Sequence, residues 1–162
     1  MDKSKTAEKL VETYADTILR LSYSYLRNTQ DAQDICQTVL LKLLTGAPEF
    51  VSAEHEKAWV LRVTANACKD LLRSPWRKRT CGLEVCAQQS APEPPDGELL
   101  RLVNGLPVRY REVIHLYYYE GYSAQEIGEI LGISANTVYT RLARARKKLK
   151  GRLEETGYET IE

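Results

Sequence analysis

Histidine, phenylalanine and methionine are scarce in this 162-residue sequence, which has two His, one Phe and one Met. The histidines, His55 and His115, are far apart in the chain, so they lack the close ligand spacing of a metal site. Clustered carboxylates with a His or a third acid, as hydrolytic chemistry requires, are also missing. We therefore expect neither a metal nor a cofactor, and no enzyme activity.

The four cysteines fall into two pairs with different settings. Cys36 and Cys68 lie in helical patterns, where we expect small buried thiols. Cys81 and Cys86 lie in a weakly patterned stretch, and no second Cys pair or neighbouring His completes a zinc site there. A redox role for Cys81 and Cys86 stays open.

Long apolar runs are absent, and none approaches the roughly 20 residues that cross a bilayer. The opening residues MDKSK are not followed by an apolar secretory segment. A hydrophobic content of 43% with 28% charged residues is typical of a globular chain rather than a disordered one. We expect a cytoplasmic protein without membrane insertion.

Strand-like alternation is lacking as well, and apolar residues recur at three- and four-residue steps, which predicts an all-α fold. Thr29 or Asp31 is expected to start the second helix. The predicted helices are Ala7–Leu26, Asp31–Leu44, Glu54–Arg73, Glu98–Asn104, Pro107–Tyr119, Ala124–Leu131 and Ala135–Leu153.

The periodic pattern stops after Ser74-Pro75 and resumes near Glu98. The intervening residues include Pro92, Pro94 and Pro95 and have the composition of an extended linker. We predict two small helical domains, residues 1–75 and 98–155, joined by a linker over residues 76–97 and followed by an acidic tail over residues 156–162.

The second predicted domain contains a helix-turn-helix pattern. Ser123 and Glu126 fit a capping box, Gly132 ends the helix and Ser134 caps the next one. Gly128 is expected to allow a neighbouring helix to approach closely. Residues 101–150 carry nine Lys or Arg against four Glu, so this half is locally basic although the whole chain has a net charge of only +1.

The last helix has an apolar face and an uninterrupted polar and basic face. Val138, Leu142, Ala145 and Leu149 are expected in the core. The other side places short polar residues first and cations later, as in a helix that reads base edges and binds phosphates. Its predicted duplex-DNA contacts are Asn136, Thr137, Thr140, Arg141, Arg144, Lys147 and Lys148.

The third helix is also amphipathic. Its predicted core residues are Trp59, Val63, Ala67 and Leu71. A polar stripe on the other side combines cations, which hold phosphates, with an amide that can bond an unpaired base. This stripe and the cations after it are the predicted single-strand contacts: Arg62, Asn66, Lys69, Arg73, Arg77 and Lys78.

The second helix is predicted to bury Ile35, Val39, Leu40 and Leu43. Leu41 lies among polar residues on its opposite side, an arrangement typical of a protein-docking spot with an apolar centre and a polar rim. The candidate docking residues are Asp31, Asp34, Gln37 and Leu41.

Together these segments resemble the extracytoplasmic function group of bacterial sigma factors over nearly the whole chain. Asp31–Gln37 is similar to the polymerase-binding segment of sigma region 2. Trp59, Arg62, Asn66, Asp70 and Arg73 are similar to the signature that comes after it in the family. Leu106-Pro107, Tyr110–Val113, Glu126–Ser134 and Thr137–Arg146 resemble sigma region 4. Gln33, Leu40 and Gly128 depart from the usual Glu, Phe and Ala.

The resemblance implies that the protein binds core RNA polymerase, through the clamp helices of the largest subunit and the flap region, and directs it to promoters. Asp31, Asp34, Gln37 and Leu41 would meet the polymerase. The stripe of the third helix would engage the melted −10 strand, and the last helix would read the −35 element. An anti-sigma factor is expected as a further partner.

Three alternatives stay open on the residues alone. A helix-turn-helix also serves dimeric repressors and activators. A small nuclease would need a third acidic or His partner near Asp31 and Asp34. A polymerase-binding adaptor would not need the basic last helix. Finally, Tyr117, Tyr118 and Tyr119 are expected to pack in the core rather than to stack on bases.

Overall fold

The computed structural model describes residues 3–74 and 97–155, and every regular element in those ranges is helical. The predicted all-α class is therefore confirmed. The chain divides into two compact units, residues 1–91 and 92–162. Most of the predicted linker and the whole predicted tail, together with Arg77, Lys78, Cys81 and Cys86, lie outside the described residues. No helix of the described ranges is long and apolar enough to cross a membrane.

Unit 1 contains three helices: α1 (Lys3–Leu26), α2 (Thr29–Thr45) and α3 (Ala53–Arg73). Helix α1 packs against both α2 and α3. The hydroxyl of Tyr14 donates a 2.6 Å hydrogen bond to Oε1 of Glu56, which ties α1 to the start of α3. The largest fully buried side chains of this unit are Ile18, Leu21, Tyr25, Val39, Val60 and Leu61.

Helix α2 begins earlier than predicted, and its capping residue is neither Thr29 nor Asp31. Asn28 has an extended backbone, and its side-chain Oδ1 accepts the amide of Asp31 at 2.9 Å. Asn28 is also buried, whereas Thr29 is exposed. Arg27, which comes directly after α1, has φ 51°, and this sharp change in chain direction places Asn28 at the N-cap of α2.

The prediction of the core face of α3 is wrong, because the buried face is offset by about one residue from the predicted one. Trp59, Val63, Ala67 and Leu71 are only half-buried. The buried residues are Val60, Leu61, Thr64, Ala65 and Cys68. The Thr64 hydroxyl donates to the Val60 carbonyl at 2.7 Å, so burying this polar residue leaves its hydroxyl hydrogen-bonded.

Trp59, on the predicted core face, packs against a residue outside α3. Phe50, in the connection before α3, packs edge-on against Trp59 with ring centroids 5.6 Å apart, so the indole is covered at the flank of the unit. The two helical cysteines, Cys36 and Cys68, are buried as expected. Burial, with Asp16 contributing, raises the pKa of Cys36 above its ordinary value.

Unit 2 contains α4 (Gly97–Asn104), α5 (Val108–Ile114), α6 (Ala124–Leu131) and α7 (Ala135–Glu155). Helix α7 packs against α4, α5 and α6. Its apolar stripe and those of the shorter helices form one core. The largest fully buried side chains are Leu106, Val113, Leu116, Ile127, Val138 and Leu142.

The predicted helix Pro107–Tyr119 is not a single α-helix, because residues His115–Tyr119 form a wider π-helical turn. The amide of Glu120 donates to the carbonyl of His115 five residues earlier, at 3.0 Å. A π-turn accommodates one extra residue and so rotates the side chains after it around the helix. Tyr118 and Tyr119 are 57% and 52% exposed, and the expectation that they pack in the core is wrong.

Candidate nucleic-acid interface

A reciprocal pair of hydrogen bonds fixes the start of α6. The Glu126 amide donates to Oγ of Ser123 at 3.1 Å, and the Ser123 amide donates to Oε1 of Glu126 at 3.0 Å. The predicted capping box is therefore present. The Ser123 amide, followed by its hydroxyl, lowers the pKa of Glu126 because both favour the ionised carboxylate.

The turn between α6 and α7 depends on two glycines. Gly132 has φ +73°, a left-handed conformation that favours glycine, and it ends α6. The Ile133 amide donates to the Gly128 carbonyl at 2.9 Å. A Cβ on Gly128 would lie 2.6 Å from the Ile133 carbonyl oxygen and 3.4 Å from the Ala135 amide. The backbone that approaches Gly128 closely is therefore mainly that of the turn, at Ile133, and the first residue of α7 lies slightly further away.

The first turn of α7 is capped as predicted, since Oγ of Ser134 accepts the Thr137 amide at 3.1 Å. Val138, Leu142 and Ala145 are buried, and Leu149 is half-buried. The opposite side, which we call the basic face, comprises Asn136, Thr137, Thr140, Arg141, Arg144, Lys147 and Lys148. All of these side chains are exposed except Thr137 and Arg141, which are half-buried.

The basic face has the chemistry that duplex DNA requires. Short side chains at its N-terminal end can reach base edges, and the cations of the later turns can bind phosphates. Arg141 has an additional partner, because its Nη1 lies 3.5 Å from the carboxylate of the buried Glu112 in α5. Its guanidinium is therefore held in one place by the core of unit 2.

The structure also reveals one cation, Arg109, that the sequence pattern did not assign to this surface. In α5, the guanidinium of Arg109 lies 4.7 Å from the ring centroid of Tyr110, and Nζ of Lys148 in α7 lies 5.6 Å from the same centroid. Hydrogen bonds from Arg109 and Arg144 lower the pKa of Tyr110. Arg109 was missed because helical periodicity cannot indicate which side chains of separate helices meet.

In unit 1, the predicted polar stripe runs along α3. Arg62, Asn66 and Arg73 are exposed, and Lys69 is half-buried. Nη2 of Arg73 forms a 2.8 Å ion pair with Oδ1 of Asp70, and both side chains are largely exposed. Such a surface pair contributes little stability and is easily exchanged for a phosphate. The stripe therefore remains accessible to a polyanion.

The docking residues of α2 share one side of that helix. Asp34, Gln37 and Leu41 are exposed, and Leu41 is 61% exposed although it is apolar. Asp31 is half-buried at the start of the helix. Leu44, which the sequence pattern did not single out, is also exposed and continues the same side one turn further. An exposed apolar pair beside a carboxylate and an amide is suited to a protein partner.

Two family matches cover most of the chain. Residues 10–78 match "Sigma-70 region 2", and residues 96–149 match "Sigma-70, region 4". RNA polymerase sigma factor SigV of Bacillus subtilis is 31% identical over 157 residues, which span 93% of this chain and 95% of that protein.

Two solved structures have a similar fold. The sigma factor RpoE, crystallised with the anti-sigma factor NepR from Bartonella quintana, gives a TM-score of 0.74 at 21% identity and covers 93% of this chain and 98% of its own. CnrH, in complex with the cytosolic domain of CnrY, gives 0.67 at 25% identity, with coverages of 94% and 90%.

Proposed function

Since the chain belongs to the sigma-70 family, and within it to the extracytoplasmic function group, we propose that its two units recognise different parts of the promoter. The protein is a sigma factor that serves promoter-specific transcription initiation by RNA polymerase. It acts together with core RNA polymerase and promoter DNA. The assignment of each surface to a partner is our proposal.

Unit 1 binds the polymerase through α2. Asp34, Gln37 and Leu41, with Asp31 at the helix start, form the contact with the clamp helices of the largest subunit. Exposed Leu41 supports this, because an apolar centre within a polar rim loses water on docking and so contributes binding free energy. The carboxylates set the position of the partner through charge complementarity.

The polar stripe of α3 engages the melted −10 strand. Arg62, Lys69 and Arg73 bind phosphates, and Asn66 hydrogen-bonds an exposed base edge. Arg77 and Lys78 would continue the same cationic surface along the sequence. Opened DNA presents unpaired bases that duplex DNA hides, so an amide between cations suits this half of the promoter.

The basic face of α7 reads the −35 element as duplex DNA. Asn136, Thr137 and Thr140 approach base edges, while Arg141, Arg144, Lys147 and Lys148 contact phosphates or guanine. The proposed linker over residues 76–97 would connect the two modules. Two DNA elements separated by roughly two helical turns require two such modules on one connection.

We further infer that the protein works in the cytoplasm, where the polymerase is, and that an anti-sigma factor regulates it. The fold similarity to RpoE bound by NepR supports the second inference. Such a partner would cover the polymerase-binding and DNA-binding surfaces and so keep the sigma factor from its polymerase.

One observation carries the proposal: each unit buries one side of a helix and leaves an accessible polar or basic side opposite. The test mixes the purified chain with core polymerase and genomic fragments and maps transcript starts. We expect new start sites that share two spaced elements. If no complex with core forms and no start sites appear, the proposal fails. Tight, specific binding to a site without polymerase would instead indicate a repressor or activator.

A further inference from the structure

The exposed aromatic side chains of the described residues all lie in unit 2, and two of them are neighbours in the π-helical turn. Tyr118 is 57% exposed and Tyr119 is 52% exposed. In unit 1, by contrast, Tyr14 and Tyr25 are buried and Trp59 is half-buried. A single exposed aromatic residue is ordinary at a protein surface, but two in one helical turn place a larger aromatic area at one part of it.

Contacts within unit 2 hold both rings in place. The ring of Tyr119 stacks on the imidazole of His115, with centroids 4.9 Å apart and planes inclined by 26°. Tyr118 packs edge-on against Tyr117 at 5.0 Å, and its hydroxyl accepts a 2.6 Å hydrogen bond from Nε of Arg146 in α7. The two rings are therefore fixed although about half of each side chain is exposed, so a ligand that binds them orders little additional structure.

The guanidinium of Arg146 gives this aromatic area a positive charge. Its carbon lies 5.5 Å from the ring centroid of Tyr118 and 5.7 Å from that of Tyr117. Lys150, one turn further along α7, is also exposed. Helix α7 carries no acidic residue before Glu154, so these cations are not neutralised along their own helix.

The side chains of Tyr118, Tyr119 and Arg146, which we call the tyrosine surface, lie apart from the strongest cations of the basic face. Arg146 follows Arg144 by two positions, which is roughly 200° around the axis of an α-helix. The two arginines therefore lie on nearly opposite sides of α7. The tyrosine surface is a second site of unit 2 and not an extension of the side that faces duplex DNA.

We propose that the tyrosine surface binds an unpaired strand of nucleic acid by stacking its bases on Tyr118 and Tyr119. An aromatic ring offers its face to any base, and the face of a base is accessible only when the base is not stacked inside a duplex. Arg146 attracts the polyanionic strand and fixes the ring of Tyr118 through its hydrogen bond. The inference goes beyond the proposed function, in which unit 2 reads only duplex DNA.

The composition of the surroundings favours a nucleic acid over a protein as the ligand. Tyr and Arg also form the centres of protein interfaces. In the described part of unit 2, however, the exposed large hydrophobic residues are all tyrosines, and no exposed aliphatic side chain of that size accompanies them. Helix α7 carries five cations from Arg144 to Lys150, whereas the π-helical turn ends in one acid, Glu120. Aromatic rings beside a cationic helix are the combination that single-strand binding requires.

The test compares binding of the full chain to fluorescent single strands of about ten nucleotides. The probes are oligo(dT), oligo(U) and an abasic deoxyribose strand of the same length, and fluorescence anisotropy gives each Kd. Tyr118→Leu keeps an apolar side chain but removes the ring, and we expect it to weaken binding of oligo(dT) and oligo(U) by roughly five- to a hundredfold. Binding of the abasic strand should be unchanged, because that strand offers phosphates without bases.

Three further variants separate stacking from other effects. Tyr139→Leu is the matched control, because Tyr139 is an exposed tyrosine of unit 2 outside the π-helical turn, and its Kd values should stay near those of the wild type. Tyr118→Phe keeps the ring and should retain most of the binding. Asn66→Ala alters the predicted single-strand stripe of unit 1, so its effect and that of Tyr118→Leu should multiply in the double variant.

Four outcomes would overturn the inference: unchanged binding of oligo(dT) and oligo(U) in Tyr118→Leu, an equal loss for the abasic strand, an equal loss in Tyr139→Leu, or a loss of core polymerase binding alone, which would assign the surface to a protein. A loss for oligo(U) only identifies RNA as the ligand, and a loss for oligo(dT) only identifies DNA. An equal loss for both shows that the base alone is recognised, and each of these three results supports stacking.

The tyrosine surface and the proposed function can fail separately. Transcript starts with core polymerase test whether the chain is an initiation factor, whereas the Kd values for single strands test whether Tyr118 stacks on bases. A protein that gives start sites but shows no Tyr118 effect retains the function and loses the second site. The reverse result retains a single-strand site in a protein of another function.

Discussion

The carboxylate of Glu112 in α5 lies 3.5 Å from the guanidinium of Arg141 in α7, and the Glu112 side chain is only 2% exposed. The pair joins the core of unit 2 to the helix that carries its basic face. Arg141 therefore has a structural role as well as a predicted role at DNA, whereas Arg144, three residues later, is exposed and has no carboxylate partner among the described residues.

Replacing these two arginines should separate the two roles. Arg141→Ala leaves the buried Glu112 carboxylate without this cation and should destabilise unit 2 by about 1–3 kcal/mol. Arg144→Ala should change stability by less than about 0.5 kcal/mol. Hydrogen exchange of peptides from α5 to α7 is the suitable measurement, because the tryptophans, Trp59 and Trp76, precede unit 2. Equal protection in both variants would contradict the structural role of Arg141.

The capping box predicts a pH effect at the start of α6. The pKa of Glu126 is lowered from its ordinary value of 4.5 by the Ser123 amide and then by the Ser123 hydroxyl. A lowered folded pKa means that the stabilisation is complete above the ordinary value and is lost as pH falls through the folded pKa. Ser123→Ala keeps the amide, so the pKa should rise only part of the way. An NMR titration of the Glu126 carboxyl would measure this rise.

Gly128 and Gly151 predict opposite effects of the same substitution. Gly128→Ala places a Cβ 2.6 Å from the Ile133 carbonyl oxygen, so the backbone of the turn must move, at a cost of about 1–3 kcal/mol. Gly151 lies in α7 with open space around it. Gly151→Ala should stabilise the helix by about 0.5–1 kcal/mol, because alanine has the higher helix propensity. Thermal unfolding of both variants gives the comparison, and a neutral Gly128→Ala would show that the turn adapts without cost.

Asn28 should contribute more to unit 1 than its neighbour Thr29. Asn28→Ala removes the oxygen that accepts the Asp31 amide at 2.9 Å and should cost about 0.5–2 kcal/mol. Thr29→Ala changes an exposed residue inside the first turn and should cost less. Urea unfolding followed by Trp59 fluorescence reports on unit 1. A larger decrease in the free energy of unfolding for Thr29→Ala than for Asn28→Ala would indicate that Thr29 is the N-cap residue.

Polymerase binding and −35 recognition should be separable by mutation. Asp34→Lys reverses an exposed charge on α2 and should abolish binding to core polymerase while both units stay folded. Arg144→Ala should spare core binding and weaken initiation that depends on the −35 element. Co-purification with core polymerase and transcription from mapped promoters test both effects. If Asp34→Lys still binds core normally, the docking surface lies elsewhere on the protein.

The sequence alone determined the features that depend on neighbours along the chain. Helical periodicity gave the all-α class, and α6 was predicted from Ala124 to Leu131, as the structure has it. The capping box at Ser123 and the stop at Gly132 were predictable because their chemistry is complete within a few residues. The exposure of Leu41 followed from the same periodicity, since α2 has one clear buried side.

Tertiary structure decided what periodicity could not. In α3, Trp59 packs against Phe50 while a neighbouring side of the helix is buried. The π-helical turn that exposes Tyr118 lies within a run whose periodicity predicts one helix. The cap of α2 is Asn28, directly after the left-handed Arg27. The meeting of Arg109 with Arg144 and Lys148, and of Glu112 with Arg141, joins residues about 30 positions or more apart. Contacts of that kind depend on how helices pack, and packing is set by the whole core rather than by any local pattern.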